Sequence, residues 1–164
     1  MDKRALTAQM IAKVRESIAV AEREAAAAAE AAREGEEPAA KREDARMAIE
    51  YGGLARGQQQ RVKQARMVLS AIESFHPAPI AQGGRVEVGA ILEIEDEDTG
   101  AGRTLFLAPA GAGLELTGPD GDGFLQVVTP SSPIGKAAMG QRVGDSIDVT
   151  VDGETRSWEI TWVE

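Results

Sequence analysis

The sequence predicts an α+β protein: an N-terminal antiparallel coiled-coil hairpin of two helices, then a C-terminal antiparallel sheet carrying one short helix. Three observations predict it. Apolar residues recur every three or four positions through residues 1–75, short alternating runs broken by turn residues fill 85–164, and the composition changes between them in "SFHPAPIAQGG". Pro77 and Pro79 end any helix before them, because proline lacks a backbone donor and disfavours helix in the preceding residue. The organisation expected is a hairpin over 1–75 with its tip at about 34–44, a linker over 76–84 and a sheet domain over 85–164.

On the first helix Leu6, Met10, Val14, Ile18, Ala21, Ala25, Ala28 and Ala32 form one apolar stripe, and on the second Met47, Tyr51, Leu54, Gln58, Val62, Ala65, Leu69 and Ile72 do the same. Neither helix has a second apolar face, so each buries its stripe against the other. The break around Gly35 to Pro38 makes the pairing antiparallel. Toward the turn the first stripe becomes "EAAAAAEAA", while the second helix carries Gly52 and Gly53. Such a stretch reads equally as a solvated helix of high propensity or as a rod kept thin, a need that would compensate for glycines costing roughly 1 kcal/mol apiece.

In the second half, "RVEVGAILEIED", "GRTLFLAP", "GFLQVVT", "DSIDVTVDG" and "ETRSWEITWVE" read as strands, with Asp152-Gly153 a hairpin turn between the last two. Trp158 and Trp162, four apart on one strand, are expected on one face, in the core. "SSPIGKAAMGQRVGD" reads as the helix: Ser132 is the N-cap, Pro133 sits at the first helical position, and Gly140 takes the left-handed position at the end.

Composition excludes several chemistries. The 164 residues suffice for one domain with an appendage, and the absence of cysteine removes disulfides, thiolate metal sites and thiol catalysis. The opening "MDKRALTAQM" has no apolar leader, and no window nears the roughly 18 apolar residues of a membrane span, so a soluble cytoplasmic protein is expected. Residues 1–76 carry 13 Lys/Arg against 12 Asp/Glu, a net of +1, whereas 77–164 carry 5 against 15, a net of −10. The acidic half repels phosphate and suits a basic protein surface. Nucleic acid, if touched, meets the basic stretch of Arg56, Arg61, Lys63 and Arg66.

No stable metal site and no cofactor are expected. "IEDEDTGAG" holds Asp96, Asp98 and Thr99 in part of a calcium-loop pattern, but the third acid and the distal glutamate are missing, which leaves a hairpin turn. His76, the only histidine, has no acid, serine or second histidine arranged around it in the linker.

"SPIGKAAMGQRVGDSIDV" followed by a final hairpin resembles the C-terminal domain of the bacterial Gre-type transcription elongation factors. In that family a Ser-Pro-(Ile/Leu)-(Gly/Ala)-(Arg/Lys)-Ala string opens the helix. The order of hairpin, linker and FKBP-like sheet also agrees. The motif covers about 130–150 and the architecture the whole chain. The resemblance implies that the sheet domain docks on the bacterial RNA polymerase core through Ser132, Pro133 and Ile134. It also implies that the hairpin enters the secondary channel, with contact to nascent RNA along it. Glu36 and Glu37 are then the tip acids, working in trans on the polymerase's Mg²⁺ in cleavage of backtracked RNA, with no independent enzyme activity. The family tip reads Gly-Asp-x-x-Glu-Asn-Ala-Glu-Tyr. Here Gly35 matches, Glu36 replaces the aspartate, the second acid falls on Ala39 and the asparagine on Ala40.

Other readings stay open: a channel-binding inhibitor or regulator without cleavage activity, a non-catalytic FKBP-like adaptor, a prolyl isomerase, and an adaptor whose helices pair between chains. Three Phe, one Tyr and two Trp are few for an isomerase pocket. An intramolecular hairpin implies a monomer.

Overall fold

A computed structural model describes residues 2–35, 42–118, 121 and 123–164. Two long helices, α1 (Lys3–Gly35) and α2 (Arg42–Glu73), precede strands β1 (Ile91–Asp96), β2 (Gly102–Leu107), β3 (Glu115–Thr117) and β4 (Phe124–Val128), helix α3 (Pro133–Ala138), and strands β5 (Ser146–Val151) and β6 (Glu154–Val163). Contacts divide the chain into two compact units, Ala12–Ser70 and a second that joins Met1–Ile11 to Ala71–Glu164. No helix among the described residues is long and apolar enough to cross a membrane.

In the helical unit, Glu22 pairs with Arg66 while Ala31 and Glu34 share a concavity with Asp44 and Tyr51, so the helices run antiparallel. The stripe of α1 buries Val14, Ile18, Ala25, Ala28 and Ala32, with Ala21 half-buried. On α2 Val62 and Ile72 of the stripe are buried and Ala65 and Leu69 half-buried, but toward the turn the stripe is displaced by one residue: Met47 and Leu54 are 44% and 54% exposed, and Ala48 and Ala55 are buried in their place. Opposite them α1 offers only alanine. A long side chain in that seam would wedge the helices apart, and the sequence supplies an alanine one position on. Gly52 and Gly53 are not where the helices meet: an added Cβ would find only the Arg56 guanidinium, at 3.6 and 3.9 Å. The expectation that they keep the rod thin therefore fails.

The second unit is built on a sheet of order β3-β4-β2-β1-β6-β5. The expected sheet is wholly antiparallel, but β2 and β4 run parallel, Thr104 against Leu125 through Leu107 against Val128. The cause is β3, too short to read from the sequence, which turns the chain once more before β4 slots between it and β2. Leu92, Ile94, Leu105, Leu107, Ile147 and Ile160 form the core, with Ala138 of α3 against it. Each fully buried aliphatic side chain contributes about 1.5–3 kcal/mol of transfer free energy.

The two helix ends belong to this unit. Asp2 caps α1 through its carboxylate, which accepts from the Arg4 N–H at 2.9 Å. Leu6, Met10 and Ile72 are fully buried, and the Phe75 ring lies 6.1 Å from that of Phe106. A Cβ on Gly111, whose φ of 87° suits glycine, would fall 3.0 Å from Met10 Cε and 3.5 Å from Ile72 Cδ1. The Gln9 side chain closes the open edge of β3, donating to the Thr117 carbonyl at 2.8 Å and accepting from the Thr117 N–H at 3.0 Å. Lys3 Nζ donates to the Ala78 carbonyl at 3.0 Å. Burial pulls the Lys3 pKa below the ordinary lysine value, against the opposing charges of Glu164 and Glu87.

Trp158 and Trp162 do not share a face. The register of β1 against β6 slips between Glu93 and Ile94, so that Ile160 pairs Ile94 but Trp162 pairs Glu93. The extra residue, Thr161, makes a β-bulge that turns Trp162 to the other face. Trp158 is buried and Trp162 half-buried.

Candidate functional site

The turn into α3 is held by one hydroxyl. Ser132 Oγ donates to the Thr129 carbonyl at 2.8 Å and accepts from the Thr129 N–H at 3.2 Å and the Gly135 N–H at 3.3 Å. The last bond is the expected N-cap, and Pro133 follows at the start of the helix. The turn is too tight for a side chain at the fourth position: a Cβ on Gly135 would lie 2.0 Å from the Thr129 carbonyl oxygen. The motif allows glycine or alanine; this turn accepts glycine alone. Gly140, at φ 80°, ends the helix as expected, and its N–H donates to the Val86 carbonyl at 2.8 Å.

These constraints set two apolar groups at the surface edge of the unit. Pro133 is exposed and Ile134 is half-buried, resting on the core. Ile134 also lines a concavity of about 430 Å³ with Arg103, Val149, Val151, Arg156 and Trp158. The guanidinium carbon of Arg103 stands 5.0 Å from the centre of the Trp158 ring, a cation–π contact that roofs the indole. On the far side of Arg103 a second concavity, about 510 Å³, is bordered by Phe124, which is 76% exposed. Sequence reasoning missed Arg103 and Phe124. Alternation in "GRTLFL" puts Arg103 on the face of Leu105 and Leu107, the one signal that could have found it.

Four carboxylates of the sheet unit lie on its other face. Glu93 and Glu95 of β1, Glu159 of β6 and Asp148 of β5 share that side by register, and Glu95 stands directly opposite Glu159. Asp96 is a separate matter. Its carboxylate accepts the Thr99 N–H at 2.9 Å and the Asp98 N–H at 3.0 Å, with Arg156 at 3.9 Å. The Thr99 bond leads the causes that hold its pKa below the usual carboxylate value. This is a turn, as expected of "IEDEDTGAG", and among the described residues no group of three or more His, Cys, Asp or Glu is placed to hold a metal.

The basic stretch is only partly gathered. Lys63 and Arg66 line a groove of about 720 Å³ on the helical unit with Ala25, Ala29, Val62 and Met67, where Arg66 is tied to Glu22. Arg56 lies beside Gly52 and Gly53. Arg61 is five residues on from Arg56, which at roughly 100° per residue turns it to another side of α2. The tip acids Glu36 and Glu37 lie outside the described residues.

Comparison with known proteins bears on the sheet unit above all. Residues 81–164, just over half the chain, match the family profile "Transcription elongation factor, GreA/GreB, C-term". The chain is 33% identical over 104 residues to transcription elongation factor GreA of Polaromonas naphthalenivorans, covering 63% of this chain and 60% of that protein. It is 34% identical over 101 residues to GreA of Paracoccus denitrificans, covering 61% and 58%. The matches thus span about three fifths of these relatives. Among solved structures, the GreA factor homolog 1 (Gfh1) protein of Thermus thermophilus aligns over 94% of both chains with a TM-score of 0.40 and 18% identity. The match across residues 81–164, which hold every strand of the sheet, carries the assignment: the chain belongs to the GreA/GreB family of transcription elongation factors.

Proposed function

We propose that this chain binds the bacterial RNA polymerase core as a monomer in the cytoplasm. The sheet unit docks through Ser132, Pro133 and Ile134, and the helical hairpin enters the secondary channel to regulate elongation. The observation that carries the reading is the α3 turn: Ser132 is spent on three hydrogen bonds, and the result is an exposed Pro133 beside a half-buried Ile134 inside the region that matches the family. Lys63 and Arg66 then flank the path of the transcript, Lys63 the freer of the two because Arg66 is paired with Glu22.

Cleavage of backtracked RNA is weak or absent in this reading. The polymerase supplies the Mg²⁺ and its own acids, so a factor contributes only carboxylates placed to about an ångström, and misplacement costs on the order of a hundredfold in rate. Glu36 and Glu37 are present, but Ala39 stands where the family carries its second acid. The protein would then act by occupying the channel against other factors.

Two measurements test this. Pro133→Glu keeps a residue suited to a helix start and places charge on the docking surface. It should abolish binding to core polymerase with circular dichroism unchanged; unaltered binding refutes the docking surface. Added to a stalled, backtracked complex, the wild-type chain should release few 3′ fragments and suppress cleavage by an added Gre factor. Strong cleavage lost in Glu36→Ala or Glu37→Ala would overturn the regulatory reading.

A further inference from the structure

We propose that Arg103 is the anion reader of this docking surface, taking a carboxylate that the polymerase presents beside apolar side chains. The proposal rests on the docking reading above and names the chemistry of the partner. Among the described residues the N–H donors of Arg103 make no hydrogen bond or ion pair, and its one contact of note is the face of Trp158. A guanidinium held over an aromatic face keeps N–H donors with which it can grip a carboxylate through two parallel bonds. Arg156, the other guanidinium on this wall, is already held at 3.9 Å from both Asp96 and Glu154.

Arg103 is also the wall shared by the two concavities, with Ile134 and Val151 on one side and Phe124 on the other. A segment lying across this face meets Ile134 and Val151, then the Arg103 cation, then the exposed Phe124 ring. Glu115, Asp152 and Glu154 border the same concavities without pairing with Arg103, and Glu93, Glu95 and Glu159 lie on the opposite face of the sheet. The complementary occupant is a polymerase segment with one acidic side chain between apolar ones. A phosphate could fill the same grip, but a half-chain of net charge −10 repels a polyanion.

The test uses the full chain and core polymerase, with affinity measured at low and high salt. Arg103→Met keeps a cover over Trp158 and removes every donor. It should weaken binding about tenfold to a hundredfold, the size of a lost charge-assisted pair, and flatten the salt dependence, with the melting curve retained. Arg103→Lys should recover only part, since an ammonium cannot make the bidentate grip. If Arg103→Met binds like wild type while Ile134→Ala weakens binding, the anion reader is refuted and the docking surface stands. If both bind like wild type, both fall. Competition by a short single-stranded RNA, lost in Arg103→Met, would make Arg103 a phosphate reader and overturn the proposal.

Discussion

Gln9→Ala measures how firmly the first helix is tied to the edge of the sheet. The wild-type amide makes two bonds to one residue of β3, at 2.8 and 3.0 Å, and Thr117 is the last residue of a three-residue strand. Each bond contributes about 0.5–1.5 kcal/mol net, and water can replace part of it at this exposed site, so the loss should be about 1–2 kcal/mol. Thermal unfolding followed by near-ultraviolet dichroism should shift down by several degrees. Hydrogen exchange at the Thr117 amide is the specific readout, and it should quicken about tenfold, the kinetic counterpart of about 1.4 kcal/mol in local opening.

Gln9→Glu sharpens the test. One carboxylate oxygen still accepts from the Thr117 N–H, but the other faces the Thr117 carbonyl, where a donor is required. Protonation restores the donor, so the folded state raises this carboxyl's pKa. The penalty is therefore present above that raised pKa and disappears as pH falls through it toward the ordinary glutamic acid range. Wild-type melting and wild-type Thr117 exchange in Gln9→Ala would refute the reasoning, because the pair would then not be made in solution.

Three further outcomes follow from the geometry. Gly57→Ala should stabilise the helical unit by about 0.5–1 kcal/mol in urea unfolding, since an added Cβ meets nothing within 4 Å and alanine restores helix propensity. Glu159→Gln should raise stability by a few tenths of a kcal/mol at low salt by relieving the like-charge pair with Glu95, a gain that fades at high ionic strength. Asp96 has a depressed folded-state pKa, so its contribution is complete above the ordinary carboxylate range and is lost as pH falls through the depressed value. Asp96→Asn should remove that acid-side loss from a stability-versus-pH curve.

The sequence made the periodic parts of this molecule legible. Leu6, Met10, Val14 and Ile18 mark the buried face of α1 because burial on a helix repeats at 3.6 residues, and Ser132, Pro133 and Gly140 mark α3 because caps are local chemistry. What escaped depended on partners distant in sequence. β3 is three residues long and exists only by pairing with β4, and the Thr161 bulge is visible only against β1. Met47 and Leu54 fit the periodic stripe, yet the alanines across the seam decided which residues enter it. The α3 turn was readable residue by residue, but its extension through Trp158 to Arg103 and Phe124 requires four strands, β6, β1, β2 and β4, to be laid side by side.

The pairing of Met1–Ile11 with Ala71–Glu164 makes the helical unit an insertion within the sheet unit, leaving and returning where Met10 and Ile72 both approach Gly111. Its length is therefore adjustable independently of the unit that holds it. Removing seven residues from each helix in register preserves the facing sides and shortens the hairpin by about 10 Å, while every residue that anchors the two ends stays in place. Such paired deletions turn helix length into a graduated scale, on which evolution or an experimenter can set the reach of the hairpin one heptad at a time.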